Sequence, residues 1–122
     1  MIAGPQRLFV EADNAMGSAR GDVDDGFALA ALLQSRTPLL AIGSVFGNTD
    51  EAAADRNNRA LAAAMQVPVR HVRGCSRAGQ EVAESVEFLV AQQQPLTVLA
   101  LGPLTTLAAA LARRPELPIA RL

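Results

Sequence analysis

Lysine, tryptophan and tyrosine do not occur in this chain of 122 residues. Without lysine there is no Schiff-base nucleophile and no P-loop lysine. Four phenylalanines are the only aromatic side chains, too few for a platform that stacks bases. A net charge of −1 provides no basic field to attract nucleic acid. One cysteine, Cys75, cannot close an internal disulfide, which suits a reducing cytoplasm. The single histidine, His71, falls within a strand-like run, so no His/Cys set for zinc is at hand. Met1 to Arg7 lacks a charged region followed by an apolar stretch, so no targeting segment is read there. The uncharged run Phe88 to Ala112 has the length of a membrane span. Gln92-Gln93-Gln94-Pro95 and Gly102-Pro103 break it into helix end, strand and new helix, so no membrane partner is expected.

Half the residues are apolar and 19% are charged, which excludes a disordered tail and fits one globular domain over residues 1–122. Arg7 to Asp13 is a short apolar run ending in acids, the pattern of a buried strand. Asn14 to Asp22 is a loop of small residues. Asp24-Asp25 open a helix through Leu33, placing negative charge where the helix dipole favours it. Leu39 to Phe46 reads as a second, nearly continuously apolar strand, as in a sheet covered on both faces. Gly47-Asn48-Thr49 turn the chain, and Thr49 or Asp50 caps a helix to about Met65. Val67 to Val72 is a weaker strand, at a start or edge because of Pro68. Gln80 to about Gln93 predicts a helix with Val82, Val86, Leu89 and Val90 on one stripe. Leu96 to Leu101 is the fourth strand, and Leu104 to about Arg113 the last helix. Four strands alternating with four helices predict an α/β fold: an open, mainly parallel, Rossmann-like sheet with right-handed crossovers. Its cut edge leaves backbone groups unpaired, so an oligomer or heteromer through that edge is expected.

Ligands in such sheets bind beyond the carboxyl ends of the strands. Five of the twelve acids fall between Glu11 and Asp25, with only Arg20 to offset them. Carboxylates brought together there would have raised pKa values or hold a cation. All-oxygen ligands select a hard cation, Ca²⁺ or Mg²⁺. The same acids also read as helix capping, dipole compensation and a solvated loop. Asn48 reads as a turn residue as well as a ligand.

Several motifs, taken in order, resemble the amino-terminal part of the inosine-uridine-preferring nucleoside hydrolase family. Its opening D-x-D-P-G-x-D-D corresponds to Glu11-Ala-Asp13 and, after a loop, Asp24-Asp25. Its V-x-G-N turn corresponds to Val45-Phe46-Gly47-Asn48, and its R-N pair to Arg56-Asn57. Its V-A-x-G-P-L-T-N-L-A segment corresponds to Leu99 through Ala108. The resemblance implies a Rossmann-like nucleoside hydrolase fold and cleavage of the N-glycosidic bond of ribonucleosides by a Ca²⁺-bound water, with Ca²⁺ ahead of Mg²⁺. By motif it implies Asp13 as metal ligand and general base, Asp25 as bidentate metal ligand, and Leu101 as a metal ligand through its carbonyl. Asp24 and Asn48 are implied as ribose contacts.

The chain also departs from the family pattern. Glu11 replaces the first family Asp, and Thr106 stands where Asn is usual. The Asn14–Gly21 loop is an insertion, and the stretch from Gly74 to Gln80 is short. Family members are more than twice as long, and their later half supplies a further carboxylate and a histidine. Two expectations follow. The chain is a nucleoside hydrolase part completed by a partner or a second half, or a non-catalytic metal- or ribosyl-binding homologue acting as an interaction subunit.

Overall fold

The computed structural model describes residues 7–18 and 21–122. The Met1–Arg7 segment, apart from Arg7, and Arg20 of the acidic loop therefore lie outside the described residues. The elements run β1 (Leu8–Ala12), α1 (Asp24–Gln34), β2 (Leu39–Ser44), α2 (Glu51–Ala64), β3 (His71–Val72), α3 (Glu84–Val90), β4 (Leu96–Ala100), α4 (Thr105–Arg113) and β5 (Ile119–Arg121). All strand pairs are parallel, in the order β3-β2-β1-β4-β5. The chain winds outward from β1 to β3, then returns to β4 on the other side of β1. The order therefore reverses between β1 and β4, and this is the switch point where such sheets open a crevice.

Right-handed crossovers fix where the helices lie. On one face Val10 and Ile42 pack with Leu29 and Leu33 of α1 and Ala62 of α2. On the other, Phe9, Val72, Leu96 and Val98 pack with Val86 and Leu89 of α3 and Ala109 and Ala110 of α4. Adjacent Phe9 and Val10 belong to opposite cores, as the two-residue period of a strand requires. Every residue of β1 is buried, so β1 is the centre of both layers.

The alternating parallel α/β architecture expected from the sequence is the one found, and a fifth strand extends it. Pro115 and Pro118 end α4 as expected, but the Pro118 carbonyl then accepts from the Leu96 amide at 2.9 Å and starts β5. Three residues with one apolar side chain facing the core give β5 little sequence signal. Other elements are shorter than expected. β2 stops at Ser44, and β3 pairs at His71 and Val72, with the Arg70 carbonyl accepting from the Ile42 amide at 2.8 Å and Val67 to Val69 outside the ladder. α3 begins at Glu84, because Ala83 is fully extended and Gln80 instead ties the preceding loop to Ser76 and Val82. Val82 is thereby removed from the helical stripe and is 67% exposed. Asp50, rather than Thr49, caps α2, accepting from the Ala53 amide at 2.7 Å.

Candidate functional site

β1 delivers Asp13 just past its last residue, at the carboxyl end of the sheet and beside the switch point. Its carboxylate is nearly buried, held between two turns. One is the turn after β2, where the Asn48 amide donates to Asp13 Oδ2 at 2.8 Å. A Cβ on Gly47 would lie 2.3 Å from that same oxygen, so only glycine allows the turn to approach so closely. The other is the turn after β4, where a Cβ on Gly102 would lie 3.1 Å from Asp13 Cγ. Leu101, whose amide donates to the Glu11 carbonyl at 2.8 Å, carries the chain into that second turn.

α1 supplies Asp25 in its first turn. The intervening loop folds back so that the Asp13 carboxylate acts on Asp25. Burial and then the Asp13 carboxylate push the Asp25 carboxyl up to about 7. Asp25 Oδ2 is buried with no hydrogen-bond partner. The fold-back is tied by Asn57 of α2, whose side-chain amide donates to the Asn14 carbonyl at 2.9 Å and Ser18 Oγ at 3.2 Å. Asn57 is thus a structural clasp of the loop, a role its spacing did not announce.

The other acids separate. Asp22 and Asp24 are exposed, and Asp22 Oδ1 accepts from the Asp24 amide at 3.1 Å. The Asn48 side chain donates to the Asp22 carbonyl at 3.0 Å, so Asn48 bridges the β2 turn to the loop before α1. Glu11, one pleat earlier than Asp13, is 3% exposed. Burial raises its carboxyl to about 8, an effect only partly offset by the Thr106 and Ser85 hydroxyls. The acidic run does not converge as a whole: among the described residues, no three His, Cys, Asp or Glu side chains form a group that could hold a metal ion. The convergence is a pair, Asp13 and Asp25.

A second ionic group lies further along the rim. Glu51, at the start of α2, is 6% exposed, accepts from Ser44 Oγ at 2.5 Å, and receives Arg73 Nε at 2.6 Å and Nη2 at 2.7 Å. Burial works against its ionisation, but the Arg73 and Ser44 hydrogen bonds prevail and hold the carboxyl below its usual value. This network fastens the end of β2 to the segment after β3. Four clefts of about 400 to 510 Å³ lie elsewhere, along α2, along α4 and on the loop before α3, and none of the four is lined by Asp13 or Asp25. The acid pair sits on an open rim.

A parallel α/β domain with paired carboxylates at its switch point defines a class of small-ligand or cation site at strand ends. The family is settled by comparison. The profile of the inosine-uridine preferring nucleoside hydrolases matches residues 13–121, and the chain belongs to that family. No curated protein matches the sequence. Among solved structures, a purine-preferring ribonucleoside hydrolase from Gardnerella vaginalis superposes with a TM-score of 0.72 at 19% identity, covering 95% of this chain and 46% of that one. An inosine-guanosine nucleoside hydrolase superposes with a TM-score of 0.66 at 18% identity, covering 92% of this chain and 44% of that one. The chain thus spans about half the length of the structures it matches.

Proposed function

We propose that this chain carries the acid-pair half of a nucleoside N-ribohydrolase. The carrying observation is Asp13 at the carboxyl end of β1, held between the Gly47-Asn48 and Gly102-Pro103 turns, with its carboxylate raising the pKa of Asp25. Two carboxylates and a backbone carbonyl are hard oxygen donors, and an orphaned buried oxygen on Asp25 supports a missing positive partner. Asp13, Asp25 and the Leu101 carbonyl would hold the ion, Ca²⁺ in preference to Mg²⁺ because a loosely built rim suits the larger, less geometrically demanding cation. Bound there, such an ion makes a ligating water more acidic.

The chain's own residues account for the rest of the reaction. Asp13 accepts the proton of the attacking water, and the new bond forms between that oxygen and the anomeric carbon as the carbon–nitrogen bond breaks. The electron pair of the broken bond leaves with the base, which takes a proton from a donor outside this chain. Asp24 and Asn48 orient ribose hydroxyls. The carboxylates also stabilise positive charge developing on the sugar. The leaving-group donor and the remaining ion ligands come from a second half or a partner polypeptide. The buried Cys75 suits a cytoplasmic setting, and no described helix is long and apolar enough to cross a membrane.

A second reading is supported by the open rim, since Asp13 and Asp25 line none of the four clefts. In it, the chain binds a cation or ribosyl group without turnover. Release of ribose from inosine, with Ca²⁺ present, decides between the two. The hydrolase reading expects release by the complete assembly and its loss in Asp13→Asn. An assembly that binds inosine and releases no ribose leaves the binding reading in its place.

A further inference from the structure

The turn between β2 and α2 carries the backbone contact that holds Asp13. Ser44 is the last residue of β2 and Glu51 the first of α2. The Glu51 carboxylate joins them: Ser44 Oγ donates to Glu51 Oε2 at 2.5 Å, so one side chain closes the base of the turn. At the tip, the Asn48 amide donates to Asp13 Oδ2 at 2.8 Å, and the Asn48 side chain donates to the Asp22 carbonyl at 3.0 Å. Asn48 is an exposed residue, so the bond to Asp13 is what shields its amide.

Arg73 makes the base rigid. Its backbone is tied to the start of α3, the amide donating to Glu84 Oε1 at 2.7 Å and the carbonyl accepting from the Ser85 amide at 2.8 Å. From that fixed post its guanidinium grips both Glu51 oxygens, at 2.6 and 2.7 Å. Two residues on, the Cys75 carbonyl accepts from the Phe46 amide at 3.0 Å, within the same turn. The Gly74 amide adds a longer donation, 3.4 Å, to Ser44 Oγ. The segment after β3 therefore braces the turn at its base and along its rise. A buried ion pair is a poor source of stability alone, since apolar residues of similar volume often serve as well. What a carboxylate adds is direction, because each oxygen has its own donors. Glu51 is 6% exposed and aims both oxygens at the base of this one turn.

We propose that Glu51 is a positioning residue: by fixing the base of the turn it holds the Asn48 amide on Asp13, though Glu51 itself makes no contact with Asp13. As a contribution to ion or ribose binding this rests on the hydrolase reading; as a statement about Asn48 and Asp13 it stands apart from that reading. An amide that leaves Oδ2 frees the Asp13 carboxylate to rotate, and an ion held through it is then held less well.

Amide hydrogen exchange followed by NMR on the 122-residue chain, with no metal added, reads the contact directly. Asp13→Ala sets the rate of an Asn48 amide that has no acceptor. Glu51→Gln is expected to speed exchange at Asn48 about three- to tenfold toward that rate, the worth of one net hydrogen bond. Ser44→Ala opens the base while keeping the Arg73 pair; it is expected to act alike and serves alone should Glu51→Gln fail to fold. Leu117→Ala removes buried core beside β5 at the opposite end of the sheet. It is expected to lower stability yet leave the Asn48 rate within about twofold, since exchange there proceeds by local opening. Calorimetry is expected to show Ca²⁺ bound about three- to tenfold more weakly by Glu51→Gln and Ser44→Ala than by wild type. An unchanged Asn48 rate in both variants overturns the inference, as does equal acceleration by Leu117→Ala, which would make the effect one of general stability. Faster exchange with undiminished Ca²⁺ binding overturns it too. A wild-type chain that binds no Ca²⁺ overturns the cation reading instead, and exchange alone then decides whether Glu51 positions Asn48.

Discussion

Replacing Glu11 with glutamine should make the domain more stable at alkaline pH and leave it nearly unchanged under mildly acid conditions. The carboxyl is 3% exposed on the central strand, with Oε2 lacking a partner. Burial raises its pKa from 4.5 to about 8. Between those values the native state keeps a proton that the unfolded chain has lost, so stability falls as pH rises. Each unit is worth about 1.4 kcal/mol, and the whole interval comes to on the order of 5 kcal/mol as an upper figure. The loss is complete once pH passes the native value near 8. Glutamine has the shape of the protonated acid and no charge to bury. Urea unfolding of wild type and Glu11→Gln from pH 5 to 9 should show matching midpoints at pH 5. The variant should then lead by a few kcal/mol at pH 9. A smaller decline with the same sign remains in both proteins, because Asp25 is raised to about 7 by burial and by Asp13. His71 has the opposite sign: burial lowers its pKa, so its contribution improves as pH rises through the ordinary histidine range. Parallel pH profiles for wild type and variant would refute the reasoning, since they would mean that Glu11 is not ionising in a buried setting.

Three further outcomes follow from the same geometry. Gly47→Ala should disrupt the acid pair, because the added Cβ would lie 2.3 Å from Asp13 Oδ2; a cost of about 1–3 kcal/mol in urea unfolding and weakened cation binding are expected. Arg73→Leu leaves Glu51 buried without its guanidinium, which should cost about 2 kcal/mol near neutral pH, allowing for the half-exposed arginine. Because the Glu51 pKa is lowered, that deficit should shrink as pH falls through the acid range, when the carboxyl becomes protonated in both proteins. Asn57→Ala should loosen the loop after β1, seen as faster amide exchange at Met16 and Ser18, with a loss of about 1 kcal/mol for the hydrogen bonds removed.

Much of the architecture was legible because the strands are bounded by Gly and Pro and the helices by acids. β1, α2 and β4 show their character within a few residues each. The short elements were not legible. β5 depends on the Pro118 carbonyl pairing with Leu96, a contact that spans the rest of β4, the whole of α4 and the turns around it. The shortening of α3 depends on the Gln80 side chain capturing two backbone groups. At the site, motif order brought Asp13, Asp25, Asn48 and Leu101 into view together. Counting acids overstated the cluster, because composition cannot tell a carboxylate facing a strand end from one facing solvent, as Asp24 does, or one facing the interior, as Glu11 does. The Glu51–Arg73–Ser44 network left no sequence signal, since its members come from three separate elements.

The account turns on two acids that meet across a folded-back loop and are short of positive charge. Thermal melting of the chain with and without millimolar Ca²⁺, repeated on Asp25→Asn, addresses that directly. Ca²⁺ is expected to raise the wild-type midpoint by several degrees and to leave Asp25→Asn unmoved, since a ligand stabilises only the state that binds it. An unmoved wild type, or an equal rise in the variant, would contradict the pairing of Asp13 with Asp25 as a cation site.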